Sequence, residues 1–228
     1  MFFPSEFDHY TPEQRADILA HAKLTLYKKG EPVWKAGQLV DFLAATQSGL
    51  FALEYEESES SATICHICKA PEVLLMGFTS AVAPMTMRAL TPGAALVVPL
   101  DVVGKHTLQA PAVLATAFRA RVERVYAAQY LYALLQNAPP ERRLAYAYWQ
   151  LSEIDAAGRR VVRAKVPQAE LAKFIGTSRE EVSRKRSLLE QGFLLTAEED
   201  VLVLDDDLPL VFLGNHVVPP FVRAALGM

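Results

Sequence analysis

The spacing of apolar and polar positions changes period twice along the chain, and each change marks a new kind of structure. Thr11-Pro12-Glu13-Gln14 opens a helix. Thr11 can cap it, Pro12 suits the first helical position, and Gln14 can reach back in a capping box. Ile18, Leu19 and Ala22 supply its apolar face. From Tyr27 onward Gly30, Gly37 and Gly49 punctuate short segments, and Phe51, Leu53 and Tyr55 alternate with Ala52, Glu54 and Glu56. A period of two marks half-buried strands, so an antiparallel sandwich or barrel is predicted up to about Leu100. Glu54 to Ser61 reads as a polar hairpin tip, its acidic run solvated rather than metal-binding.

After Pro111 the period becomes helical. Residues 112–137 contain neither Gly nor Pro, and Ala115, Phe118, Val122, Val125, Gln129 and Tyr132 recur at alternating spacings of three and four. This predicts a heptad-like seam of about 25 residues, roughly 37 Å long at 1.5 Å per residue. Leu114, Leu131, Leu134 and Leu135 make the apolar surface too wide for one partner. The helix is therefore expected to pack on its own chain and also on a twin. Asn137-Ala138-Pro139-Pro140 breaks it and marks a boundary, after which a second helix is predicted from Glu141 to about Ile154. The expected organisation is a β-rich domain at 1–110, a dimerisation helix at 111–136 and a helical domain at 137–228.

The most informative segment runs from Val166 to Leu195. It predicts a helix over Gln168–Ile175, a turn at Gly176, and a second helix capped by Ser178 with Glu181 as its capping-box partner. Thr177 with Glu180 is an alternative capping pair. Val182 and Leu189 face inward, while Arg179, Glu180, Ser183 and Arg184 face outward. Helix, glycine turn and helix is a helix-turn-helix. Val201–Leu204 after the polar turn Ala197–Asp200 reads as the hairpin of a winged version.

On these residues the chain resembles the Crp/Fnr family of bacterial transcription regulators, the catabolite-activator type. QAELAKFIGTSREEVSR is similar to the family's helix, glycine turn and Ser-Arg-Glu-x-x-(Ser/Gly)-Arg recognition helix, and Lys29-Gly30, Ala36-Gly37 and Ser48-Gly49 stand where the family places its roll turns. The resemblance covers nearly the whole chain. It implies an α+β fold: a cyclic-nucleotide-binding-like β-roll, or jelly roll, then a long dimerisation helix and a C-terminal winged helix-turn-helix. It also implies a cytoplasmic homodimer on palindromic double-stranded DNA, with RNA polymerase as a further partner and no catalysis. Arg179, Glu180 and Arg184 match the family's base-reading positions, and residues 180 and 184 lie about one helical turn apart, facing one groove. Arg can donate twice to guanine and Glu can accept from cytosine N4, so a G·C-containing half-site resembling TGTGA is expected. Gln168, Ser178, Ser183, Lys185 and Arg186 are expected at phosphates. The expected two-fold interface is Phe118, Val122, Val125, Gln129 and Tyr132.

The chain departs from the family at several places. Pro167 replaces the usual capping Thr, and Arg186 stands where an apolar residue faces the core. Glu198, Glu199, Asp200 and Asp205 make the wing acidic, and an apolar tail follows from Leu208. The cyclic-nucleotide cassette is degenerate. Glu72 follows Pro71 instead of Gly, and Arg88 is the only cation between Lys69 and Lys105. A buried phosphate needs positive charge or free backbone donors, so cyclic AMP is not expected to regulate this protein. Glu72 and Arg88 remain the candidate effector residues, in a pocket that is either apolar or without a ligand.

Cys65-His66-Ile67-Cys68 offers an alternative, a redox- or metal-responsive regulator. On a strand the two cysteines point to opposite faces, and two cysteines cannot make a four-Cys site, so no metal and no cofactor are expected. A cupin-like metal enzyme would need a His-x-His with Glu, a spacing that none of the five histidines has. There is no G-x-S-x-G and no phosphate loop.

Composition and charge narrow the partner. The 228 residues are 51% hydrophobic and 21% charged, which is ordinary globular composition, and no apolar run is long enough to span a membrane. MFFPSEFDHY has no secretory-signal pattern. The formal charge of −3 excludes binding of nucleic acid by bulk charge. Locally the sign reverses. Residues 139–192 carry eleven Lys or Arg against seven Asp or Glu, a net of +4, leaving −7 elsewhere. A basic helix-turn-helix region on an acidic chain is the footprint of a DNA-binding domain, not of a protein-interaction module.

Overall fold

The computed structural model describes residues 10–58, 61–74, 80–108, 111–214, 216 and 218–228. Two compact units meet at Ala120 and Arg121. The division therefore falls inside the long helix and not at its ends.

The first unit starts with α1 (Pro12–Ala20), whose Thr11 cap and Gln14 form the expected reciprocal capping box. Among the described residues ten strands follow: β1 (Lys23–Tyr27), β2 (Pro32–Trp34), β3 (Leu39–Val40), β4 (Phe42–Ser48), β5 (Leu50–Ser58), β6 (Ser61–Lys69), β7 (Val73–Leu74), β8 (Ala81–Val82), β9 (Thr86–Ala89) and β10 (Gly93–Pro99). They form two antiparallel four-stranded sheets, ordered β1-β10-β4-β7 and β2-β9-β5-β6, with β3 and β8 as a separate pair. Ala44 and Ala95 of the first sheet and Phe51, Cys68, Met87 and Ala89 of the second share one buried cluster. That cluster is the core between the sheets. On the other face of the first sheet, Leu43, Ala45, Leu96 and Val98 pack with Ile18 of α1 and Val103 of α2 (Leu100–Leu108).

Two turns need their glycines. Gly49 has φ +83, and a Cβ there would lie 2.7 Å from the Gly93 Cα and from the Pro92 carbonyl oxygen. The β4–β5 and β9–β10 connections thus cross with no room for a side chain. The other is Gly176, at φ +63.

The strands end at Pro99, close to the expected Leu100, and α2 follows directly. One expectation needs correcting in this unit. Glu54 is not part of a solvated tip. β5 runs on to Ser58, and Glu54 is 3% exposed. Its charge is tolerated because Arg88 on β9 reaches it, with Nε–Oε2 2.5 Å and Nη2–Oε1 2.9 Å. A buried carboxylate needs such a partner. The hairpin tip itself, residues 59–60, lies outside the described residues.

Helix α3 (Pro111–Leu135) has the expected 25 residues. The second unit continues with α4 (Pro140–Leu151), which stops short of Ile154 because Ser152 turns extended and leads into β11 (Glu153–Ile154). Then come β12 (Arg160–Val162), α5 (Gln168–Ile175), α6 (Arg179–Gln191), β13 (Leu195–Glu198), β14 (Val201–Leu204), α7 (Leu208–Leu213) and α8 (Pro220–Ala225). The sheet order is β11-β12-β14-β13, all antiparallel.

The apolar tail closes on the second unit. Phe212, fully buried, meets the rings of Tyr146 and Trp149 of α4 at 5.7 and 6.1 Å. Trp149 Nε1 donates to the Leu226 carbonyl at 2.7 Å. Arg160 lies 3.8 Å from the Trp149 ring centroid and donates to the Gly227 carbonyl at 3.0 Å.

Candidate nucleic-acid interface and effector region

The helix-turn-helix is built by local chemistry. α5 begins after Pro167 with no side-chain cap, as the missing Thr predicts, and buries Leu171, Ala172 and Ile175. Gly176 ends it at φ 63, ψ 54, the left-handed conformation, with its N–H on the Ala172 carbonyl. Ser178 then caps α6 by accepting from the Glu181 N–H at 3.1 Å. The reciprocal half of the predicted box is missing. The Glu181 carboxylate is clasped instead by Arg184, with Nη2–Oε1 2.7 Å and Nε–Oε2 3.0 Å.

α6 buries Val182 and Leu189 and leaves Arg179, Glu180, Ser183 and Arg184 exposed, as the sequence pattern requires. The cap is Ser178 and not Thr177. Glu180 is bonded to its own backbone N–H and to the Ser178 hydroxyl, and these hold its carboxyl below the usual range. It is therefore an ionised acceptor at neutral pH. The Arg184–Glu181 pair is 67% exposed on its arginine side. Such a pair is worth about 0–1 kcal/mol, so it exchanges for a better partner at small cost.

The residues expected at phosphates divide. Ser183 is exposed, and Ser178 caps α6. Gln168 is half-buried and lines a cleft of about 270 Å³ with Arg163, Lys165 and Arg186, between α4, α5 and the β13–β14 wing. Lys185 is otherwise engaged. It is 15% exposed and pairs with Glu141 of α4 at 2.7 Å, which holds the Glu141 carboxyl below its usual range. Arg186 is accommodated at its apolar position by Glu190 at 2.8 Å and by the buried Tyr148 hydroxyl. The acidic wing is partly neutralised: Glu198 pairs with Arg159 at 3.1 Å and Asp200 with Lys165 at 2.8 Å.

Along α3, Ala127, Leu131 and Leu135 are buried, while Val125 is 43% and Tyr132 69% exposed. Gln129 is also exposed, and Val122 is half-buried. The side chain of Phe118 lies outside the described residues.

In the β-roll the two candidate effector residues have separate partners. Arg88 is bound to Glu54, while Glu72 accepts from His66 Nε2 at 3.2 Å. Residues 75–79 of the cassette stretch lie outside the described residues. Cys65 is exposed and Cys68 buried. Partial burial pushes the Cys65 thiol up, which makes it a poor thiolate. Sequence reasoning missed two groupings here, Glu54 with Arg88 and Glu72 with His66 and Cys68. The first joins β5 to β9, and the second joins β6 to the turn before β7.

An antiparallel β-roll followed by a long helix and a winged helix-turn-helix is a two-part architecture. The fold is that of the Crp/Fnr-type transcription regulators. Among solved structures it is similar to FixK2 from Bradyrhizobium japonicum, with TM-score 0.74 and 16% identity over 86% of this chain and 99% of that one. It is also similar to CLP, the c-di-GMP-responsive global regulator of Xanthomonas campestris, with TM-score 0.64 and 19% identity over 85% and 99%. A Crp/Fnr-family transcriptional regulator from Eubacterium rectale matches with TM-score 0.63 and 14% identity over 92% and 98%. No protein-family model matches the chain, and no curated protein sequence does.

Proposed function

We propose that the protein is a homodimeric, sequence-specific DNA-binding transcription regulator that does not respond to cyclic AMP. The observation that carries the reading is α6. Its first two turns expose Arg179, Glu180, Ser183 and Arg184 while Val182 and Leu189 anchor it. A helix N-terminus armed with two arginines and an ionised glutamate suits the major groove. Arg179, Glu180 and Arg184 read bases, and Ser178, Ser183, Gln168 and Arg186 stand near the backbone. Lys185 holds α6 to α4 and is left out of the phosphate set. The exposed Val125 and Tyr132 of α3 support a second copy as their cover, since two parallel helices present the same seam to each other. The Arg88 charge is balanced by Glu54, so a cyclic phosphate would have to displace a buried carboxylate. No described helix is long and apolar enough to cross a membrane, in keeping with a cytoplasmic regulator that meets RNA polymerase at promoters.

Glu180→Ala tests the reading. If Glu180 reads a base, affinity for the best site falls by about 1–3 kcal/mol and preference at one base pair relaxes. Equal weakening on all sequences, with a lower melting temperature, would contradict it.

A further inference from the structure

The hairpin β5–β6 carries a register break between Leu53 and Glu54, where Leu53 faces His66 and Glu54 faces Ile64. Cys65 is the extra residue of that bulge. Beyond it Phe51 pairs with Cys68 and Leu53 with His66, so His66 and Cys68 share the face of the sheet that lines the core. The chain then turns through Ala70-Pro71 and delivers Glu72 to the same place. Thr46, fully buried on β4, fixes Glu72 by its backbone. The Thr46 Oγ1 accepts from the Glu72 N–H at 2.8 Å and donates to the Glu72 carbonyl at 3.0 Å, and the Thr46 N–H reaches that carbonyl at 2.8 Å. One imidazole nitrogen, one thiol sulfur and one carboxylate oxygen therefore lie within 4.8 Å of one another.

We propose that His66, Cys68 and Glu72 form a three-ligand site for a divalent transition-metal ion of the zinc type. The donors are mixed N, S and O, the set that zinc accepts and that calcium or magnesium does not. Tetrahedral bonds of zinc length place such donors roughly 3.3–3.6 Å apart. His66 and Glu72 are already at 3.2 Å, and His66, 47% exposed, is free to swing toward the sulfur. Thiolate and carboxylate together neutralise a divalent ion, and the imidazole stays neutral. The complex thus carries no net charge into a half-buried place. Binding displaces the Cys68 proton, so affinity weakens as pH falls. Three protein ligands leave a fourth position for water or a small donor molecule. Cys65 takes no part.

The probe is Co²⁺ added to metal-stripped, full-length, reduced protein. One equivalent is expected to give the visible bands of a tetrahedral ion and a thiolate-to-metal charge-transfer band, both bleached by Zn²⁺. Cys68→Ser removes the charge-transfer band and Cys65→Ser leaves it. His66→Ala and Glu72→Gln each weaken Co²⁺ binding by about tenfold or more. Absence of binding, leaving a plain His66–Glu72 hydrogen bond beside a buried thiol, overturns the site. So does a band that survives Cys68→Ser or disappears in Cys65→Ser. If Cys68→Ser fails to fold, unchanged affinity in both His66→Ala and Glu72→Gln overturns it, because those side chains are partly exposed. A role for the ion as the regulator's effector rests on the DNA-binding reading. It is tested by comparing DNA affinity with and without Zn²⁺, whereas the Co²⁺ titration stands independently of DNA.

Discussion

Replacing Phe212 by Ala tests whether the C-terminal tail is part of the second unit's core. Phe212 is fully buried and is the side chain through which α7 meets α4. Truncating a buried Phe loses its transfer free energy and leaves a cavity, about 3–5 kcal/mol together. The ring contacts with Tyr146, at 67° between planes, and with Trp149, at 55°, lie within the range where an aromatic pair adds about 0.5–1.5 kcal/mol. The upper half of the range is therefore expected, about 4 kcal/mol. Against a domain stability of about 5–15 kcal/mol this is a large fraction. The chain has two tryptophans, Trp34 in the first unit and Trp149 in the second. A Trp34→Phe background thus makes emission report on the second unit alone. With a urea m of about 1–3 kcal/mol/M, Phe212→Ala should lower the Trp149 midpoint by roughly 1–4 M. A loss below about 1 kcal/mol would mean that the tail is not docked on α4 in solution, and the packing argument would fail.

Other perturbations have equally definite expectations. Gly49→Ala forces a side chain into backbone at 2.7 Å with φ at +83, so the Trp34 transition should fall by several degrees while the Trp149 transition stays put. An unchanged Trp34 melting temperature would refute the close crossing. Lys185 holds the Glu141 carboxyl below its usual value of 4.5, so this pair stabilises the second unit above that pH, and the contribution is lost as pH falls through the depressed value. Lys185→Met should cost about 1 kcal/mol or less at pH 7 and flatten the acid dependence of the urea midpoint between pH 7 and 3. The same acid slope in both proteins would refute the pairing. Val125→Glu puts a charge beside its twin on α3 and should convert a dimer to a folded monomer by light scattering. A wild type already monomeric at micromolar concentration would remove the basis for the dimer.

Features encoded locally were legible in the sequence, and those made by distant contacts were not. Ser178, Gly176 and the Leu171, Ile175, Val182 pattern define the helix-turn-helix within a dozen or so residues, so its boundaries follow from capping and steric rules alone. The capping box at Thr11 and Gln14 is of the same kind. By contrast, Glu54 looks like one more acid in a polar run until Arg88, 34 positions away, is placed beside it across two strands. Lys185 looks like a phosphate contact until α4 brings Glu141 against it. α2 was hidden because Leu100 and Val103 continue the apolar character of β10, and short apolar runs do not declare a period. For His66 and Cys68, the spacing of two puts them on one face. Glu72 joins them through a turn and the Thr46 anchor, which no periodicity announces.

The proposed function has α6 reading DNA as part of a two-fold dimer. Selection from random double-stranded DNA with the full-length protein tests it most directly, run in parallel with Arg184→Ala. An enriched palindrome with G·C-containing half-sites about one helical turn apart is expected, with a loss of preference at one position of each half-site in the variant. Enrichment of no palindrome, or of the same palindrome with unchanged preferences in Arg184→Ala, would contradict it.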